Sequence, residues 1–277
     1  MKKSIHIRYG ETFDRQAAIV AQAGFSHIAL CLDGIVGKAS NEWDAISEHI
    51  RSVLEKNKLS CNQTHAGSYF IVDFADHVDE ALETAFLETV RISAAIGAEH
   101  CVFHPRPTRN FSAKDAIAAN AKFFSSYLEA AHRYGTSIAV ENMPIFGGMR
   151  PISPLFGHHP EQLCALVDHL NDDRMGVCLD FGHANLVNIA IDYVIETLGS
   201  RLTCTHVHNN MHREDDHLPL DQGEISWENA IGALYRTNYK GALTLETSCR
   251  YNDEAAFAAY AKHGYDSLVW LEGYFKA

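Results

Sequence analysis

The chain has 277 residues, 47% of them apolar, and a formal net charge of −12. That length and apolar content suffice for a large core, and one α/β barrel of about 250 residues accounts for both. The acidic balance counts against a general nucleic-acid binder, which presents a basic face, although bound divalent cations would offset several of the charges.

Short β-branched runs alternate with longer stretches of helical period. The runs SIHIRY (4–9), HIALCL (27–32), LSCNQTHA (59–66), HCVFHP (100–105), SIAVEN (137–142), MGVCLD (175–180), LTCTHVHNN (202–210) and GALTLET (241–247) predict eight strands. Between them, 12–24 predicts a helix stopped by Gly24, and 41–58 a helix opened by an Asn41 cap and an acidic first turn. Residues 78–98 and 113–135 carry the same amphipathic period. Eight strands alternating with helices predict repeated βα units, and eight is the number that closes a barrel. There is no linker or low-complexity tract, so residues 1–277 read as a single (β/α)8 TIM barrel domain. The Gly- and Pro-rich connection 143–158 is the candidate lid.

The seven cysteines include no CxxC pair, and Cys31, Cys101, Cys178 and Cys204 fall in the strand runs. They read as small buried residues in a reducing compartment. The opening MKKSIHIRYG has two lysines but no apolar segment behind them, and no run of about twenty apolar residues occurs. The expectation is a cytoplasmic protein with no membrane partner.

The informative feature is where each strand stops being apolar. Strand three ends in His65, strand four in His104, strand five in Glu141 and strand six in Asp180 with His183 behind it. Strand seven carries His206 and His208, and strand eight ends in Glu246. In an α/β barrel these ends share one rim, where active sites lie. Carboxylates and imidazoles crowded there are costly unless a cation neutralises them. His206 and His208 share a face of the strand. His208, nearer the rim, is the expected ligand and His206 its support. Asp215 and His217 follow on the loop as an Asp-x-His pair.

In order along the chain, THAG (64–67), VFHP (102–105), VEN (140–142), CLDFGH (178–183), HVHNN (206–210), DDHLPLDQG (215–223) and LETS (245–248) resemble the xylose isomerase-like barrels. This superfamily contains sugar phosphate isomerases and epimerases and the family 2 apurinic/apyrimidinic endonucleases. The resemblance covers nearly the whole chain. It implies one divalent ion held by Glu141, Asp180, His208 and Glu246, with Mn²⁺, Mg²⁺, Co²⁺ or Zn²⁺ as the candidates. The endonuclease pattern implies up to three Zn²⁺ ions, adding His65, His104, His183, Asp215 and His217. It also implies a homodimer or homotetramer.

Two chemistries follow from the resemblance. In the first, a small sugar, sugar phosphate or polyol is isomerised or epimerised through a metal-stabilised ene-diolate. Glu141 and Glu246 are the general bases and His183 bonds a substrate oxygen. Arg213 or Arg106 would bind an anionic end. In the second, a trinuclear zinc site hydrolyses a phosphodiester. The segment 31–65 resembles the isomerase branch more closely and favours the first, so nucleic acid is not the expected partner. A non-catalytic sugar sensor on this scaffold would not need the paired carboxylates. Loops 67–76, 106–112 and 143–158 would set specificity.

Overall fold

The computed structural model describes residues 1–33, 40–67, 80–108, 110–144, 155–249 and 253–274. All eight predicted strands form: β1 (Lys2–Arg8), β2 (His27–Cys31), β3 (Ser60–His65), β4 (His100–Phe103), β5 (Ser137–Glu141), β6 (Met175–Asp180), β7 (Leu202–Val207) and β8 (Ala242–Leu245). Each is parallel to the next, and β8 pairs with β1 from Lys2↔Ala242 to Ile5↔Leu245, closing the barrel. The chain is thus an α/β TIM barrel.

The helices pack outside. Helix α1 (Phe13–Ala23) ends where Gly24 adopts φ 114°, a left-handed conformation that an L side chain resists. Helix α2 (Ser40–Asn57) begins before Asn41, so that residue sits inside the first turn rather than capping it. Helix α3 spans Glu80–Ala95 among the described residues. Helix α4 (Ala113–Tyr134) is capped by Ser112, whose Oγ accepts from the Asp115 amide at 3.2 Å, and Gly135 ends it at φ 93°. Helices α5 (Pro160–Leu170), α6 (Phe181–Leu186), α7 (Ile191–Leu198), α8 (Trp227–Arg236) and α9 (Glu254–Tyr274) complete the ring. Residues 34–39, 68–79, 109, 145–154, 250–252 and 275–277 lie outside the described residues. They include the centre of the candidate lid and parts of two specificity loops.

The main core fills the space between strands and helices. In it Phe103 stacks on Tyr127 at 5.0 Å and meets Phe86 and Phe124 edge-on. Inside the barrel, Val102, Ala139, Cys178 and Cys204 form a small apolar layer. Toward β1, β3 and β8 the interior is polar: Ser4 Oγ donates to Asn62 Oδ1 at 2.6 Å, and Thr244 Oγ donates to Gln63 Oε1 at 3.3 Å. The five strand cysteines, Cys31, Cys61, Cys101, Cys178 and Cys204, are buried thiols. Burial pushes Cys61 up to about 12 and Cys101 up to about 11, so they remain protonated and unreactive. Among the described residues, no helix is long and apolar enough to cross a membrane.

Phe103 is 1% exposed and three aromatic rings close around it. Phe103→Ala is expected to cost about 3–5 kcal/mol in urea denaturation. A loss under about 1 kcal/mol would show that the rings collapse into the gap.

Candidate metal centre

Side chains on a strand alternate between two faces, so the next inward residue lies two positions further along. The lower inward positions are Ser4, Ala29, Gln63, Val102, Ala139, Cys178, Cys204 and Thr244. Two residues on, the alternation gives His6, Cys31, His65, His104, Glu141, Asp180, His206 and Glu246. Of this second layer, His6, Cys31, His65, His104, Glu141 and Glu246 line a cavity of about 750 Å³ at the rim formed by the strands' C-terminal ends, and Asp180 and His206 are fully buried beside it.

The strand alternation separates the two histidines at the end of β7. His206, two residues after Cys204, is fully buried among the carboxylates. Its Nδ1 lies 2.9 Å from Glu246 Oε2, 3.2 Å from Glu141 Oε1 and 3.8 Å from Asp180 Oδ2. His208 follows the strand's last residue and turns aside. Its Nε2 donates to Asp180 Oδ2 at 2.9 Å, and its ring stacks on His217 at 4.1 Å. Two histidines at the end of β7 thus lie beside the expected carboxylates: the expected His208 reaches Asp180, and His206 lies among Glu141, Asp180 and Glu246. One atom each from Glu141, Asp180, His206 and Glu246 lie within 4.8 Å of one another. These are hard oxygens plus an imidazole nitrogen, a donor set that suits a divalent cation. His206 Nε2 and Asp215 Oδ1 are buried without a partner.

The other expected residues surround this quartet. His65 Nε2 and His104 Nε2 both face Glu141 Oε2, at 3.0 and 3.2 Å. His183 Nε2 and His217 Nε2 each lie 3.2 Å from Asp215 Oδ2. Two further groups have metal-compatible spacing: His65, His104 and Glu141, and His208, His217 and Glu246.

Several asparagines hold these parts in place. Asn142 and Asp180 exchange hydrogen bonds, with Asn142 Nδ2 donating to the Asp180 carbonyl at 2.9 Å and the Asp180 amide donating back at 2.6 Å. The β5 and β6 ends are thereby locked together. Asn210 Nδ2 donates to the Gly182 carbonyl at 2.8 Å. Asn209 Oδ1 accepts from the Ile225 amide at 3.1 Å, folding the Asp215–His217 loop back on the rim. Gly182 leaves room for His208, since a Cβ there would lie 1.9 Å from its ring. The motifs VEN, HVHNN and CLDFGH contained these residues, but their role needed contacts between distant segments. His6 was also missed, although the alternation of SIHIRY places it on the inward face with Ser4.

The electrostatics follow from burial. Burial alone would raise the Glu141 carboxyl, but His206 and His104 outweigh it and hold it well below the usual range. Glu246 is likewise held low by His206 and His6 against its burial. The imidazoles respond in the opposite sense. Burial opposes charge on His206, yet Glu246 and Glu141 raise it well above its ordinary value. His217 is raised to about 10, with Asp215 and Glu246 overcoming burial. Without a cation, imidazolium supplies the positive charge these carboxylates require.

The cavity is bordered by His6, His65, Glu141, His183, Asp215 and Glu246, and on its far side by Arg8 and Arg15. Neither Arg106 nor Arg213 borders it. Arg213 is exposed on the loop, and the Arg106 backbone is tied to Asn120.

Comparison with known proteins places this geometry among relatives. Residues 17–268 match the family described as xylose isomerase-like TIM barrel. An uncharacterized protein from Sinorhizobium fredii is 26% identical over 86% of this chain and 82% of its own. Another from Methanocaldococcus jannaschii is 26% identical over 61% of this chain, and that match spans 55% of the relative's length. Among solved structures, the 3-keto-D-glucoside 4-epimerase of E. coli superposes with TM-score 0.76 at 16% identity, covering 99% of both chains. A D-psicose 3-epimerase from Clostridium cellulolyticum gives 0.77 at 14%, over 98% and 99%. An AP endonuclease, family 2, from Brucella melitensis gives 0.70 at 17%, over 94% and 98%. At these identities the structural likeness is one of fold.

A ring nitrogen must lose its proton before it can ligate a cation. Because His206 is raised above its ordinary value, protons compete with metal below that raised value. Apparent affinity for Mn²⁺ or Zn²⁺ is expected to rise with pH between about 6 and 8, approaching about tenfold per unit for each proton displaced. Calorimetry in buffers of different ionisation enthalpy reads the release directly. A pH-independent affinity with no protons released would contradict this.

Proposed function

The chain belongs to the xylose isomerase-like TIM barrel family, and from that premise we propose that it is a divalent-metal-dependent isomerase or epimerase of a small sugar, sugar phosphate or related polyol. The observation that carries this reading is the quartet Glu141, Asp180, His206 and Glu246, of which Glu141 and Glu246 line the cavity. These four would hold the ion, with His206 in the place the sequence had suggested for His208. When bound, a divalent ion is a Lewis acid that polarises substrate oxygens and offsets charge developing as a carbon-bound proton leaves.

The protein's own groups supply the rest. Glu246 is the more open of the two glutamates, its side chain 13% exposed against 2% for Glu141. Both border the cavity, so one can take a carbon-bound proton and the other can return it. Glu141 is braced by His65 and His104, which keep it ionised. His183 is fixed by its Nδ1–H, which donates to the Asn142 carbonyl at 2.8 Å, and its ring reaches the cavity where a substrate hydroxyl would sit. Phe257 and Tyr260 of α9 line one side of the cavity. The sugar epimerases with the same fold support this substrate class.

A second reading is favoured by a specific observation. The two additional groups, around His65 and His104 and around His208 and His217, have the spacing for further zinc ions. Three zinc ions would suit a phosphoesterase of the endonuclease type.

Elemental analysis of the purified protein separates the readings. About one ion per chain is expected for the isomerase, and about three zinc ions with cleavage of abasic-site duplex for the alternative. In D₂O, the metal-loaded protein is expected to exchange a carbon-bound proton of a ketose or sugar phosphate. Glu246→Gln should lower that exchange by at least about 100-fold. Exchange undiminished in Glu246→Gln would remove Glu246 from the role of base.

A further inference from the structure

Among the described residues, two side chains come within ion-pair distance of the Glu246 carboxylate, and each takes one oxygen. His206 Nδ1 lies 2.9 Å from Oε2, and His6 Nδ1 lies 3.3 Å from Oε1. His6 comes from β1, across the β1–β8 seam that closes the barrel. Its ring is nearly parallel to that of His206 at 6.3 Å and also faces His65 at 6.2 Å. It borders the cavity, and its Nε2 is buried without a partner.

We infer that His6 is the positioning residue that holds the carboxylate of Glu246 in the orientation proton transfer requires, an inference that rests on the isomerase reading above. A carboxylate can only accept, so this role requires the His6 ring proton to be on Nδ1. Nε2 is then a bare acceptor, buried without a hydrogen-bond partner. His206 cannot serve Glu246 in the same way once the metal binds. The nitrogen it turns toward Glu246 is the one that would ligate the ion, and a ligating nitrogen has no proton to donate. His6 is the donor that remains. Burial, together with the neighbouring imidazoles and against the pull of Glu246, lowers His6 to about 4.

Two variants separate positioning from packing. His6→Asn keeps an amide N–H near the place of Nδ1, whereas His6→Phe keeps a flat ring and loses the donor. In the D₂O exchange assay, His6→Phe is expected to lower kcat by about 30- to 100-fold with KM within about threefold, and His6→Asn to recover to within about fivefold of the parent. Zn²⁺ stoichiometry and affinity should stay within about twofold in both. Wild-type kcat in His6→Phe, or no recovery in His6→Asn, overturns the inference.

Histidine ¹⁵N NMR of the Zn²⁺-loaded protein provides a readout independent of turnover. A neutral His6 ring protonated on Nδ1, with that signal shifted in Glu246→Ala, is expected. A proton on Nε2 overturns the inference whatever the activity. Failure of the parent protein to exchange any sugar in the panel would instead sink the isomerase reading, and the catalytic consequence of His6 with it. The NMR result would still decide the contact.

Discussion

Three carboxylates, those of Glu141, Asp180 and Glu246, end adjacent or nearly adjacent strands and are almost removed from water. Ionised carboxylates in such a place are strongly unfavourable unless positive charge is close. Much of the rim satisfies that requirement. His206 sits between all three, His65 and His104 support Glu141 from one side, and His183 and His217 flank Asp215 on the loop above. The imidazoles can give up protons in exchange for a divalent ion, so one arrangement of side chains is compatible with both a metal-free and a metal-loaded protein. Removing one member of such a network leaves the rest with buried charge uncompensated.

The division of Glu141 between two sets of neighbours bears on how many ions the site can take. Its Oε1 faces His206 and His183, while its Oε2 faces His65 and His104. A carboxylate with its oxygens turned to different imidazole groups can serve a single ion and keep two histidines as hydrogen-bond donors. It can equally bridge two ions. The same holds for Glu246, shared between His206 and His6 and close to His208 and His217. A difference between isomerase and phosphoesterase chemistry on this scaffold therefore need not involve a different set of ligands. It can lie in which histidines keep their protons and which give up a lone pair to metal.

Rigid placement of these groups comes from the backbone beneath them. Asn142 ties β5 to β6, and Asn209 and Asn210 tie the loop after β7 to the start of α6 and α8. Each meets buried backbone groups that would otherwise lack partners. The apolar layer of Val102, Ala139, Cys178 and Cys204 supports one side of the floor, and the Ser4–Asn62 and Thr244–Gln63 bonds lie in the barrel toward the other.

The eight strands, the barrel they close and the polar residues at their ends were legible in the sequence. Alternation of short apolar runs with helical periods is a local property, and a strand's last inward residue is set by counting in twos. Applied to SIHIRY and CTHVH, that same count already separates His6 and His206 from their neighbours. Height along the strand points to His208 and facing direction to His206, and both lie beside the carboxylates. Tertiary structure decided what depends on residues far apart in the chain. It brought His6 to Glu246 across the seam between the first and last strands, and gave Asn142, Asn209 and Asn210 their partners. It also put Arg8 and Arg15, rather than Arg106 and Arg213, beside the cavity. Spacing along one segment fixes the face a residue points from, whereas the distance between two segments is fixed only when the sheet closes and its register is set.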